Sequence, residues 1–138
     1  MFRVTTLEHT ADKGVVVEAD TYAELFVGAA EAMFGSMVDL AGLTPTIEER
    51  IEVTASDRES LLVAWLQELI YRFEVENAVF FSFIVEEATE TRLRAVVRGA
   101  PWPEDRPRLG AAVKAVTYHG LEVRQVDGTW RARVVFDV

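Results

Sequence analysis

The chain is organised around residues 8–14, Glu-His-Thr-Ala-Asp-Lys-Gly, which lie between two stretches with the pattern of β-strands. Residues 2–7 mix apolar and hydroxyl side chains, and residues 14–20 are rich in valine. If the backbone bends between them, His9 and Asp12 can converge on one cation or one proton, and Gly14 allows a bend with positive φ at little steric cost. A β-turn capped by Asp12, with His9 merely exposed, explains the same residues. Both interpretations stand at this point.

Length and composition predict a single globular domain, residues 1–138, that folds on its own. A chain of 138 residues, half of them apolar, buries roughly 68% of its unfolded surface. Its apolar runs are shorter than the ~18 residues of a membrane span, and no apolar signal-peptide core follows Arg3. The sequence contains no cysteine, which excludes disulfides and zinc–thiolate clusters. We therefore expect a cytoplasmic protein without membrane attachment.

The net charge of −9 comes entirely from the first half of the chain. Residues 1–69 contain 4 basic and 13 acidic side chains, whereas residues 70–138 contain 10 of each. An acidic surface repels phosphate backbones, so direct nucleic-acid binding is not expected. The acidic excess favours a basic protein partner or cations held among carboxylates, and it serves solubility equally well.

Two helices are predicted from capping boxes that precede apolar residues at helical spacing. Thr21-x-x-Glu24 opens a helix over residues 21–39, and Ser56-x-x-Glu59 precedes a helix over residues 57–74. Aromatic residues on the apolar stripe of the second helix are expected to be core rather than a cofactor site.

Further strands are predicted over residues 47–53, 79–85, 93–97, 113–126 and 129–138. The dipeptide Asp127-Gly128 joins the last two as a hairpin. Arg92, Arg94 and Arg98 alternate along one strand and are most simply a solvated sheet face.

Residues 99–107 contain three prolines and are predicted to form an exposed loop. Trp102 in this loop is either an exposed anchor for a partner or a side chain that packs back on the body of the protein. The sequence does not distinguish the two.

These elements together predict a two-layer α+β sandwich, in which two helices cover one face of a mostly antiparallel sheet. Asp137 stands near the end of the closing strand, where aspartate is disfavoured and a buried carboxylate needs a partner. Because a terminal strand often returns beside an N-terminal one, we expect Asp137 to lie near Asp12 and His9.

Four stretches resemble the archease family: residues 8–14, residues 56–66 (Ser-Asp-Arg-Glu-Ser-Leu-Leu-Val-Ala-Trp-Leu), residues 113–119 (Val-Lys-Ala-Val-Thr-Tyr-His) and residues 134–138 (Val-Val-Phe-Asp-Val). The resemblance covers essentially the whole chain. It implies an archease-like fold and a non-enzymatic activator of the RNA-splicing ligase, which joins RNA ends bearing a 2′,3′-cyclic phosphate or 3′-phosphate to 5′-hydroxyl ends. Archeases promote guanylylation of that ligase and its multiple turnover in tRNA splicing and RNA repair.

The resemblance also implies a divalent metal held by carboxylates from both ends of the chain. Its ligands fall on Asp12 and Asp137, with the main-chain oxygen of Val138 as a further donor. Calcium is the expected metal, and magnesium and manganese are alternatives, since all three prefer oxygen ligands.

The lysine that the family uses for activation falls on Lys114, and His9 and His119 lie in matching stretches. The resemblance implies that these residues contact the ligase or a guanine nucleotide at the shared site. Without the resemblance, Lys114 would be interpreted as a solvated strand lysine. The chain departs from the family where a Gly-Glu pair is typical, because Ala100 follows Gly99 here.

Three functions are compatible with these residues. The first is activation of the ligase, and the second is a chaperone or modulator of RNA-modifying enzymes, which an exposed apolar patch around Trp102 would favour. The third is a metal-dependent hydrolase using His9, Asp12 and Asp137, although these residues lack a complete catalytic spacing. A hydrolase would turn over alone, an activator would be silent without the ligase, and a chaperone would act on several unrelated clients.

Overall fold

The computed structural model describes residues 1–7 and 13–138, and over these residues it contains seven strands and two helices. The strands are β1 (Phe2–Leu7), β2 (Lys13–Ala19), β3 (Ile47–Thr54), β4 (Ala78–Ala88), β5 (Arg92–Pro101), β6 (Ala115–Val126) and β7 (Thr129–Asp137), and the helices are α1 (Tyr22–Gly35) and α2 (Arg58–Glu76). All the predicted elements are present, although several of their ends differ.

The strands form two antiparallel sheets, with the orders β1-β2-β7-β6 and β3-β5-β4. The predicted α+β class, with two helices on antiparallel sheet, is confirmed, but the strands divide into two sheets where one was expected. The division arises because β4 and β5 pair as neighbours along the chain and β3 adds to the other side of β5. Both helices pack against both sheets, so a single core lies between them.

Local side-chain caps explain where the helices begin. The Thr21 hydroxyl accepts a hydrogen bond from the Glu24 amide, as the capping box predicts. In the second helix the cap is Asp57 rather than Ser56, because the Asp57 carboxylate accepts from the Ser60 amide at 2.7 Å. The start of α2 is therefore one residue later than the capping box indicated.

Helix α1 ends at Gly35, four residues before the predicted end at residue 39. The chain then turns, yet Met37 and Val38 remain fully buried. Their apolar side chains extended the helical pattern beyond the helix, which is why the sequence predicted a longer element.

The apolar stripe of α2 forms the centre of the core, as predicted. Trp65 is fully buried, and its indole nitrogen donates to the Phe26 carbonyl in α1 at 3.0 Å. The ring of Phe83 in β4 meets the indole edge to face at 6.0 Å. Trp65 thus joins both helices to the three-stranded sheet. No helix in the described part of the chain is long and apolar enough to cross a membrane.

The prediction of an exposed loop over residues 99–107 is wrong at its start, because β5 continues to Pro101. Gly99 is buried between β3 and β4, opposite Ile47 and Phe80. A Cβ at this position would lie 2.0 Å from the Val79 carbonyl oxygen, so only glycine permits this close approach of the strands.

Trp102 packs back on the body of the protein. Its amide donates to the Asn77 carbonyl at 2.8 Å, and its ring lies 5.8 Å from the ring of Phe73. The guanidinium of Arg108 covers the indole at 4.6 Å. The interpretation of Trp102 as an exposed anchor is therefore wrong.

Candidate functional site at one end of the four-stranded sheet

Strand register brings two of the predicted site residues together at one end of the four-stranded sheet. Strand β7 lies between β2 and β6, with Phe136 opposite Lys13 and Asp137 opposite Ala115. The Lys114 amide donates to the Asp137 carbonyl at 2.8 Å. The predicted return of the closing strand beside an N-terminal strand is confirmed, and the pairing of β7 with β6 on its other side places Lys114 beside Asp137.

Asp137 presents an exposed carboxylate, so its position near the end of an apolar strand does not require a buried partner. Its main chain is held in the sheet, whereas its side chain forms no ion pair with the residues that the structure describes. An exposed, unpaired carboxylate at a fixed backbone position is available to bind a cation or a basic group of a partner.

Lys114 is likewise anchored through its main chain and exposed at its side chain. The preceding residue, Val113, is buried and its amide lies 3.4 Å from the sulfur of Met37. This anchoring fixes the position of the lysine Cα, and the flexible side chain can reach an anionic group outside the protein.

Lys13, which the sequence analysis did not select, connects three parts of the chain at this site. Its ammonium donates to the Ala111 carbonyl at 3.0 Å and to the Ser36 carbonyl at 3.3 Å, at the end of α1. A cation is favoured there by the helix dipole. Partial burial lowers the pKa of Lys13, and a Cβ at Gly110 would lie 2.6 Å from its ammonium. In the sequence, the position of Lys13 within residues 8–14 is the feature that could have indicated its place at this site.

Replacing Lys13 with methionine is expected to lower the free energy of unfolding by about 1–2 kcal/mol, because two carbonyls lose a charged donor. The sequence contains one other lysine, Lys114, whose replacement by methionine is a matched control. Since the Lys114 side chain is exposed, we expect the control to change stability by less than about 0.5 kcal/mol. Urea unfolding followed by circular dichroism measures both. Equal effects would show that the Lys13 contacts do not stabilise the fold.

His119 is displaced from Asp137 by a large bulge in β6. The pairing of β6 with β7 shifts between Thr117 and Glu122, and Gly120 within the bulge has φ +64°. The Arg133 guanidinium donates to the Gly120 carbonyl at 3.0 Å and holds the bulge in place. His119 is exposed there, so the structure does not bring it into the pair formed by Lys114 and Asp137.

The other predicted residues are His9, Asp12 and Val138. His9 and Asp12 lie outside the described residues, so their approach to Asp137 stays a prediction. Val138 follows Asp137 and packs half-buried against the core. Within residues 1–7 and 13–138 no three histidine, aspartate or glutamate side chains are grouped closely enough to hold a metal ion.

A cavity of about 290 Å³ opens beside Lys13, between β1, β2 and the end of α1. Val4, Val15, Ala32 and Phe136 contribute to its walls. These side chains suit an apolar group.

Fold and site together define a class of small α+β proteins that hold exposed charged residues at the end of an antiparallel sheet. Residues 5–138 match the model of the Archease protein family. A protein archease from Methanosarcina mazei is 41% identical over 137 residues, which cover 96% of this chain and 93% of that protein. The chain belongs to the archease family.

Solved structures agree with this assignment. The solution structure of a Methanobacterium thermoautotrophicum protein superposes with a TM-score of 0.80 at 32% identity, covering 98% of each chain. The crystal structure of an archease, possible chaperone, from Thermotoga maritima has a TM-score of 0.67 at 21% identity over 96% of this chain and 94% of that one, and shows the shared fold. The names of these relatives describe an archease and a possible chaperone.

Proposed function

We propose that this protein activates the RNA-splicing ligase in the cytoplasm, promoting ligase guanylylation and multiple turnover in tRNA splicing and RNA repair. The proposal depends above all on one observation, the 2.8 Å hydrogen bond from the Lys114 amide to the Asp137 carbonyl. It holds two exposed, oppositely charged residues at one sheet end, and both residues match stretches of the archease family. Membership of that family supports the ligase as the partner.

In this proposal Lys114 provides the positive charge that meets the ligase or its nucleotide. Its exposed ammonium would meet either a carboxylate of the ligase or a phosphate of a guanine nucleotide bound at the shared site. Because the main chain of Lys114 is fixed, the charge is presented with little loss of backbone entropy.

We further propose that Asp12, Asp137 and the main-chain oxygen of Val138 hold a divalent cation. The exposed Asp137 carboxylate, which forms no ion pair with residues 1–7 and 13–138, supports this, since oxygen donors suit calcium, with magnesium and manganese as alternatives. When bound, the cation would add a positive centre that attracts phosphate oxygens.

A chaperone or modulator of RNA-modifying enzymes is the second candidate. Tyr71 and Val75, one turn apart on α2, are 60% and 65% exposed and offer a small apolar surface. The packing of Trp102 against Phe73 removes the larger patch on which this function would depend.

The test is RNA ligation by the cognate ligase with GTP and manganese, with and without this protein, under single-turnover and multiple-turnover conditions. We expect substoichiometric amounts of the protein to raise both ligase guanylylation and turnover, and the protein alone to be silent. If the ligase is unaffected while unrelated RNA-modifying enzymes are stabilised, the chaperone function replaces the proposed one.

A further inference from the structure

The outer face of the four-stranded sheet, opposite the helices, carries more arginine than the overall charge suggests. One row across the strands is Arg3, Glu18, Arg131 and Arg124, and the next is Thr5, Val16, Arg133 and Glu122. We call these two rows the arginine face. Four arginines against two glutamates leave a surplus of two positive charges, on a protein whose net charge is −9.

The surplus resides in Arg131 and Arg133. Glu18 is bound by Arg3 at 2.7 Å, and Glu122 is bound by Arg124. Neither Arg131 nor Arg133 forms an ion pair within residues 1–7 and 13–138, and the Nε atom of Arg131 is buried without a hydrogen-bond partner there.

The three-stranded sheet provides an internal comparison, because its arginines are all neutralised. The pairs are Arg50–Glu86 at 2.8 Å, Arg92–Glu52 at 2.8 Å, Arg94–Glu86 at 3.6 Å and Arg98–Glu48 at 2.7 Å. Arg92, Arg94 and Arg98 thus form the solvated sheet face that the sequence predicted. Arginines without an ion pair among the described residues, such as Arg131 and Arg133, are therefore a feature of the four-stranded sheet and not of both sheets.

The spacing of Arg131 and Arg133 suits an extended peptide, since Arg133 has further N–H donors besides the one that binds the Gly120 carbonyl. Arg131 and Arg133 are two residues apart on β7, which is roughly 6.8 Å along a strand. An extended acidic peptide presents carboxylates on one side at the same repeat, and each guanidinium can bind a carboxylate through two hydrogen bonds.

Two open hollows adjoin the first row. One of about 540 Å³ offers mainly apolar surface and includes Met1 and Phe2, whereas one of about 380 Å³ is lined mostly by polar and charged residues, with Val126 as an apolar member. Glu18 lines both hollows, so they flank the row of arginines. An apolar side chain of a bound peptide would lie in the first hollow.

A nucleic acid fits this face less well. Base stacking needs exposed aromatic rings, and neither row contains one. Trp130, the neighbour of Arg131 along β7, packs on Tyr22 with ring centroids 5.0 Å apart. The net charge of −9 also opposes the approach of a polyanion.

We propose that the arginine face docks an acidic, partly apolar segment of a protein partner in extended conformation. Arg131 and Arg133 bind its carboxylates, and the hollow beside Met1 and Phe2 receives an apolar side chain. This docking surface does not depend on the proposed function, because its test measures peptide binding and not ligation.

The test is fluorescence anisotropy with a labelled peptide of alternating aspartate and valine, at low ionic strength where charge interactions are strong. The double variant R131Q/R133Q is compared with R94Q/R98Q, which removes the same charge from the other sheet. We expect wild type and R94Q/R98Q to bind alike and R131Q/R133Q to bind about tenfold more weakly. Thermal unfolding checks that each variant is folded, and Arg131→Gln alone, which leaves the hydrogen bond from Arg133 to the Gly120 carbonyl in place, replaces the double variant if it does not fold.

Three results would overturn the inference. The first is no binding of the acidic peptide to wild type. The second is equal weakening by R131Q/R133Q and R94Q/R98Q, which would indicate attraction by net charge alone. The third is tighter binding of a short single-stranded RNA that R131Q/R133Q abolishes, which would assign the face to nucleic acid. A peptide of alternating lysine and valine is the negative control.

Discussion

Under the proposed function, substitution of Asp137 by alanine is expected to reduce stimulation of the RNA-splicing ligase by about ten- to hundredfold, because it removes a carboxylate of the proposed cation site. The free energy of unfolding should change by less than about 0.5 kcal/mol, because the exposed side chain contributes little to stability. The contact of Asp137 with Lys114 is made by its carbonyl and survives the substitution.

The measurement is multiple-turnover ligation at fixed ligase concentration, together with urea unfolding of each variant. Asp105→Ala removes a carboxylate from an exposed loop and is the matched control. Asp137→Asn keeps one neutral oxygen donor and should stimulate at an intermediate level. Normal stimulation by Asp137→Ala would show that Asp137 is not part of the site. Cooperative loss of structure would show that its role is structural.

Substitution of Trp65 by alanine is expected to have the largest effect on stability, a loss of about 3–5 kcal/mol. The indole is fully buried, contacts the ring of Phe83, and donates to the Phe26 carbonyl. Its removal leaves a cavity where α1, α2 and β4 meet. Because small domains have a total stability of about 5–15 kcal/mol, the variant is expected to be close to unfolding at physiological temperature.

Urea denaturation followed by far-ultraviolet circular dichroism measures this loss. Trp65→Phe keeps most of the ring volume but loses the N–H donor, so its cost should be about 1–2 kcal/mol. Trp102→Ala, at a half-buried indole, is the control and should cost less than Trp65→Ala. If Trp65→Ala and Trp102→Ala lower the free energy of unfolding equally, Trp65 does not lie at the centre of the core.

The helices could be predicted from the sequence because their signals are local. A cap and an apolar stripe lie within one segment, and Thr21 and Trp65 behave in the structure as those signals indicated. The predicted ends of α1 and β5 were wrong because tertiary packing extends beyond the segment that a local pattern describes. Met37 and Val38 are buried beyond the end of α1, and Gly99 to Pro101 continue β5 through a stretch that its prolines marked as loop.

The candidate site could be predicted in part. Asp137 and Lys114 were selected through the resemblance to the archease family, and the return of β7 beside β2 followed from strand order. Their hydrogen bond could not be predicted, because it depends on the register between β6 and β7. The bulge that displaces His119 is stabilised by Arg133 from the neighbouring strand, a contact that no local pattern reveals.

By itself, the sequence of this protein determined the family, the α+β class, the helices and the residues at the closing strand, since these depend on motifs and periodicities within short segments. Only the tertiary structure decided the division into two sheets and the hydrogen bonds of Lys13 to the Ser36 and Ala111 carbonyls. It also decided that the arginines of the three-stranded sheet are neutralised, whereas Arg131 and Arg133 form no ion pair with the described residues. The physical reason is the same in each case. These features depend on which distant segments pair and in what register, and pairing energies between distant segments are not contained in any one stretch of the chain.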